Sequence, residues 1–288
     1  MSETPTEVPL NPRPALADVP QTAGVAHREG SRPTLAQRIT QLRLLLSDNG
    51  LRWTVCFALR HLLKKNLDAL EGHLAYLERT HGLPGNTSVR RNYEKWQHHD
   101  WQRAGEEWTI SPQWKEALIE EVMLRHIQPG KDVLEIGPGA GRWTETLQTL
   151  ARNLLVVDLS DKCIEMCRSR FAGLANIQFF VNDGSSLPFV QDESIDYVWS
   201  FDVFVHIAPP DIDKYLDEIR RVLRPGALAI IHHANEPGPE EAWRSRMTGK
   251  LFAQMLEKHG FLLLQQFDRW GPEGEFVVRG DLVTVFQK

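Results

Sequence analysis

Val133-Leu134-Glu135-Ile136-Gly137-Pro138-Gly139-Ala140-Gly141-Arg142-Trp143-Thr144 decides how the rest of this chain is read. Val133, Leu134 and Ile136 make a short apolar strand. Gly137, Gly139 and Gly141 then give a turn without Cβ atoms, which lets a ligand approach the main chain closely. The helix that follows aims its first N–H groups over that turn. Glu135 sits inside the strand, where a buried carboxylate is costly without a partner, so it faces either a polar ligand or the turn itself.

Downstream, strands and helices alternate. Residues 154–157 form an apolar strand ending in Asp158, and Ser160 caps a helix to about Phe171. Residues 177–181 form a strand ending in Asn182-Asp183-Gly184. A strand at 195–199 is followed by Ser200, Phe201 and Asp202. Residues 211–223 are helical, Arg224-Pro225-Gly226 turns into a strand at 227–231, and a helix spans roughly 242–259. Residues 261–267 and 276–286 read as a terminal hairpin around Gly271 to Gly274. This pattern predicts an α/β fold, a doubly wound seven-stranded sheet with a late antiparallel pair and a helical N-terminal appendage. Ligands of such sheets sit outside the carboxyl ends of the strands, at the switch in strand order.

Upstream, residues 1–33 hold six prolines and few large apolar groups, which predicts a disordered tail. Residues 34–88 read as a helical appendage. Leu35, Ile39, Leu42 and Leu46 keep helical spacing, Asp48-Asn49-Gly50 breaks it, and Leu51, Val55, Leu59 and Leu62 resume it, with Trp53 and Phe57 nearby. Between residues 32 and 65 five arginines and two lysines face one acid, Asp48. That bias fits an amphipathic helix on a membrane surface or an acidic partner; basic faces are also common on soluble helices, which favours an appendage packed on the core or on a second subunit and leaves a homo-oligomer open. Residues 89–110, with Trp96, His99, Trp101 and Trp108, are a linker or a lid over the glycine turn. The domain proper is placed at 111–288. Ser111 and Pro112 start its first helix, whose buried face takes Trp114, Leu118, Val122 and Leu124.

The formal charge of −5 over 288 residues gives no general reason to expect nucleic-acid binding. Cys56, Cys163 and Cys167 are too few for a disulfide framework, and the last two read as packed thiols. The N-terminus lacks the apolar core of a secretory signal, and no run approaches the ~18 apolar residues of a membrane span. The expected location is the cytoplasm.

A dinucleotide-binding turn wants a third glycine at position 142, where this chain has Arg142. The glycine turn with its preceding acid instead resembles the first motif of the class I S-adenosylmethionine-dependent methyltransferases. The resemblance covers roughly residues 110–288, and a weaker one points to bacterial methyltransferases of glycan assembly. It implies S-adenosylmethionine as cofactor, with Glu135, Gly137 and Gly139 in the first motif. Asp158, nineteen residues after Gly139, would hold the ribose hydroxyls, and two carboxylate oxygens suit a cis-diol. Asp183 and Gly184 fall at the adenine, and Ser200 and Asp202 at the methionine end.

Methyl transfer needs alignment, exclusion of water and, for a hydroxyl acceptor, a base. His206, after the fourth strand, is the first candidate, with His232 and His233 at the end of the fifth strand behind it; no metal is expected. A sugar or glycan hydroxyl, or that of another small molecule, is the expected acceptor. A small-molecule amine, or a regulatory protein that binds the cofactor without turnover, are the alternatives. A nucleic-acid acceptor has no support in the sequence.

Overall fold

The computed structural model describes residues 34–62, 67–236, 243–278 and 280–288. The tail expected over 1–33 lies outside them. Helix α1 (Leu35–Leu62) is bent at Gly50, whose φ of 77° and ψ of 170° interrupt the helix. Helix α2 (Leu67–His81) returns against it. Leu45 and Trp53 of α1 pack on Leu74 and Leu77 of α2, and all four are buried. Each such side chain contributes about 1.5–3 kcal/mol on burial. The leucines that set the period of α1 do not take part. Leu35, Leu42 and Leu51 are 75%, 53% and 69% exposed.

Helix α3 (Val89–His98) begins at Ser88, whose hydroxyl accepts from Arg91 N. Helix α4 (Pro112–Leu118) is capped in the same way by Ser111, which accepts from Trp114 N. A π-turn at Ile119–Met123 then leads into α5 (Leu124–His126). The wider turn shifts the buried face by a residue. Met123 and Ile127 are therefore buried, and Leu124, expected inside, is 46% exposed.

The sheet follows. Strand β1 (Asp132–Ile136) leads to helix α6 (Thr144–Leu150), β2 (Asn153–Asp158) to α7 (Asp161–Arg170), and β3 (Ile177–Val181) to β4 (Ile195–Ser200). Helix α8 (Pro209–Val222) joins β4 to β5 (Leu223–Ala234), and α9 (Gly249–Lys258) precedes β6 (Leu262–Phe267). Then come β7 (Arg269–Trp270), β8 (Phe276–Val277) and β9 (Asp281–Gln287). The seven-stranded order is β3-β2-β1-β4-β5-β9-β6, parallel through β5, with β9 antiparallel between β5 and β6. The strand order reverses between β1 and β4. One face packs on Trp114, Leu118, Trp143 and Phe171, the other on Tyr215, Leu216 and Phe252.

Two boundaries differ from expectation. Phe276 belongs to a small separate hairpin of β7 with β8, so the last sheet strand starts at Asp281. Helix α9 starts at Gly249, because Thr248 caps it by accepting from Leu251 N, and residues 243–248 run without helix.

Candidate active site

At the carboxyl end of β1 the chain enters its turn with φ of 75° at Gly137 and 57° at Gly139. These are left-handed values that glycine adopts at little cost. A Cβ on Gly139 would meet the Trp101 ring at 2.7 Å, and one on Gly137 would meet Val203 at 2.3 Å. The turn is therefore packed closely from above by the 89–110 segment and from the side by the loop after β4. Trp101 is itself buried among Trp96, Trp108 and His99, with ring centroids 4.7–5.9 Å away.

Asp158 ends β2 beside this turn. Its carboxylate accepts from Gly139 N at 3.3 Å and from Ser160 N at 2.8 Å. Burial raises its pKa to about 6 against the lowering pull of those N–H groups. Asp183, after β3, is exposed and accepts from Ser185 N and Ser186 N through one oxygen. That use leaves its second oxygen for a ligand. Next to it, Gly184 has φ of 88°, and a Cβ there would press on Val89 of α3 at 2.9 Å. Beyond β4, Asp202 takes a φ of 62° and pairs with Arg142. Burial alone would raise the Asp202 carboxyl, but Arg142 and His232 outweigh it and hold it well below the usual range. Three carboxylates thus stand at three successive strand ends around one glycine turn.

Known proteins share the fold in which this turn lies. Residues 133–226 match the family model described as a methyltransferase domain. A demethylmenaquinone methyltransferase of Staphylococcus aureus is 25% identical over 172 residues, 56% of this chain and 69% of the relative. Among solved structures, a SAM-dependent methyltransferase from Aquifex aeolicus aligns with a TM-score of 0.50 at 18% identity, over 65% of this chain and 98% of that one. An S-adenosylmethionine-dependent methyltransferase from Mesorhizobium loti gives 0.51 at 15% identity, over 62% and 99%. The chain carries a methyltransferase domain at residues 133–226, in the fold that the S-adenosylmethionine-dependent methyltransferases share.

The methyltransferase has features that fit this cofactor. The glycine turn lacks Cβ atoms, so a group can close directly on its main chain as the Trp101 ring does at Gly139, and a carboxylate with two oxygens stands beside it. Arg142 Nη1 is buried with no hydrogen-bond partner among the described residues, so an anionic group has a donor waiting.

Other expected residues are placed differently. Glu135 is 1% exposed and takes the Thr144 hydroxyl at 2.6 Å, so its carboxyl serves the turn and the first residue of α6. Burial pushes its pKa up to about 8. Ser200 donates its hydroxyl to Ile136 O at 2.9 Å and is buried, which ties the end of β4 to β1 and spends its one proton there. His233 turns to the opposite face of β5. Its Nδ1 meets Ala234 O at 2.8 Å, its Nε2 meets the Thr284 hydroxyl at 2.7 Å, and it stacks on Phe252. With both nitrogens bonded and burial depressing its pKa to about 3, His233 is a core residue rather than a base. His232 is also buried. It stacks on Phe201, accepts from Asp202 N at 3.1 Å through Nδ1, and turns Nε2 to Asp281 at 3.3 Å. Its place is to hold Asp202.

His206 keeps a nitrogen free of that kind of bonding. Its Nδ1 lies 2.5 Å from Trp243 O. A carbonyl only accepts, so the proton sits on Nδ1 and the Nε2 lone pair is left. Burial lowers the pKa to about 4, with the Trp243 carbonyl pulling the other way. The ring meets Trp96 edge-on at 5.2 Å. Asn92 of α3 braces this corner, donating to His206 O at 2.6 Å and accepting from Trp243 Nε1 at 2.7 Å.

Asn92, Trp243 and Asp281 escaped the sequence reading. Asp281 pairs with Ala234 only through the antiparallel register of β9, which no local motif announces. Arg142 was visible only as a departure from the dinucleotide pattern.

Proposed function

We propose that this methyltransferase moves the methyl group to a hydroxyl of a small molecule, with a sugar or glycan as the leading acceptor class and His206 as base. The observation that supports the reading most is the fixed tautomer of His206, with Nδ1–H spent on Trp243 O and Nε2 left as a lone pair. S-adenosylmethionine supplies an activated methyl group on a sulfonium sulfur.

The proposed roles of the protein follow from its geometry. Asp158 accepts from the two ribose hydroxyls, and the second oxygen of Asp183 accepts from the adenine amino group. Arg142 and Asp202 offer opposite charges to the amino-acid end, Nη1 to its carboxylate and the Asp202 carboxylate to its ammonium. Trp101, seated on Gly139, keeps water from the turn as a lid. His206 takes the acceptor's proton at Nε2 as the oxygen–carbon bond forms and the carbon–sulfur bond breaks. A base of low pKa suffices, because the hydroxyl becomes strongly acidic only as it is methylated.

The test is transfer of radiolabelled methyl groups from S-adenosylmethionine to a panel of glycans, sugars and small amines. A demethylmenaquinone belongs on the panel because the Staphylococcus relative is a demethylmenaquinone methyltransferase. With the acceptor found, His206→Ala should lower kcat by about 100-fold or more while S-adenosylhomocysteine affinity stays within about twofold. Unchanged turnover would remove His206 as base. Transfer to amines alone would replace the hydroxyl reading.

A further inference from the structure

Helix α1 turns its polar anchors inward and its leucines outward. Gln41 accepts from Arg91, Asp48 accepts from Ser88, Asn49 donates to Gly85 O, and Trp53 donates to Glu78. These bonds fix one side of the helix to α3, to the loop before it and to α2. The other side presents Leu35, Ile39, Leu42 and Leu46 before the Gly50 bend, each at least 43% exposed. The segment after the bend exposes Leu51, Val55 and Leu59 as well, each at least 41% exposed. A helix that only covered its own domain would bury this stripe.

The charge around the stripe is one-sided. Arg38, Arg43 and Arg52 are exposed on α1. Its only acid, Asp48, has a side chain 6% exposed and pairs with Arg90 and Ser88. The surface is apolar and cationic, on a chain whose formal net charge is −5. No helix among the described residues is long and apolar enough to cross a membrane. An apolar stripe bordered by arginines, on a helix that does not span, matches a helix lying in the headgroup region. There leucines enter the acyl boundary while guanidinium groups reach phosphates.

We propose that the outward face of α1 seats this methyltransferase on an anionic lipid bilayer. The seat does not depend on which acceptor is methylated. Helix α3, which reaches His206 through Asn92, is bonded to α1 through Gln41 and Ser47, so the active-site edge is held to the seated helix.

Sedimentation of the full-length chain with sucrose-loaded vesicles tests the proposal. At low salt, vesicles of phosphatidylglycerol and phosphatidylcholine should bring down roughly tenfold more protein than phosphatidylcholine alone. The pair Leu42→Ser and Leu46→Ser should cut that binding about tenfold, and so should Arg43→Glu with Arg52→Glu. S-adenosylhomocysteine binding serves as the folding control. The charge-reversal pair changes only exposed arginines and keeps the test open if the leucine variants fold poorly. Absence of binding to anionic vesicles overturns the proposal. So does a dimer in sedimentation equilibrium that the leucine pair converts to monomer while vesicle binding is unaffected.

Discussion

Asp158 has its ordinary acidity suppressed by burial, and that makes cofactor binding sensitive to pH. With a pKa raised to about 6, the carboxyl of the free protein is protonated below that value and loses its capacity to accept from two hydroxyls. If Asp158 holds the ribose, affinity for S-adenosylhomocysteine should be flat from about pH 7 to 8 and fall roughly tenfold per unit below pH 6. Calorimetry across pH 5–8 measures this, and Asp158→Asn should be weak throughout and flat. His206 moves in the opposite sense to an ordinary histidine. Its pKa is lowered to about 4, so turnover should show no loss between pH 6 and 7 and should drop only as pH falls toward 4. Glu135 shows the cost of an acid held inside. Its folded pKa is raised to about 8 from 4.5, so the folded state holds a proton that the unfolded chain has released. Its contribution to stability therefore declines as pH rises between those values. Glu135→Gln should flatten this decline and raise stability near pH 9 by on the order of 1–3 kcal/mol, read from urea midpoints. The acids at the strand ends were legible in the sequence because Asp158 and Asp183 follow apolar runs beside a glycine turn. The histidines were harder to rank. His232 and His233 are neighbours in sequence, but the alternation of β5 sends them to opposite faces, and what each meets there is set by Phe201, Phe252 and Thr284.

Among the elements, α3 does the most that its sequence does not announce. It carries Trp96 to His206, Gln97 to Ser160 and Asn92 to the backbone of His206. Asn92 acts through other residues and so is a positioning residue. Asn92→Ala removes the donor to His206 O and the acceptor for Trp243 Nε1, while the Nδ1–H bond that sets the tautomer remains. Turnover should fall about 10-fold with cofactor affinity near wild type, and Asn92→Asp, which keeps the acceptor for Trp243, should recover part of the loss. A kcat split of this kind separates positioning from simple unfolding. The parallel strands were read correctly because each is a short apolar run closed by turn residues. Helix boundaries depend on capping, and Thr248 outcompeted the apolar period that placed the start of α9 near residue 242. The leucine period of α1 does not mark its packed face, because Leu45, Asn49 and Trp53 supply the contacts that position it.

At the scale of the molecule, the helices before residue 88 and the methyltransferase domain are joined through charge as well as apolar packing. Arg246, in the segment between β5 and α9, pairs with Glu71 at 2.9 Å and with Glu78 at 2.6 Å. Glu78 is largely buried, and its other oxygen accepts from Trp53 Nε1. Burial raises the Glu78 pKa, and Arg246 is the chief force pulling it back. Arg246→Ala would leave that carboxylate inside with the indole as its hydrogen-bond donor. The loss should be about 1–3 kcal/mol, since one member of a shielded pair loses its partner. The sign of the pH effect follows from the direction of the shift. An acid whose folded pKa is raised destabilises the fold as it ionises, so the deficit should be larger at pH 8 than at pH 5, where Glu78 can take up a proton. Arg246→Lys should recover part of the loss, because it restores the charge but not the separate Nε and Nη2 donors that Arg246 turns to Glu78 and Glu71. Urea unfolding of the three proteins at both pH values measures each of these differences. A deficit that does not depend on pH would assign the effect of Arg246 to packing of its side chain instead of to the Glu78 charge.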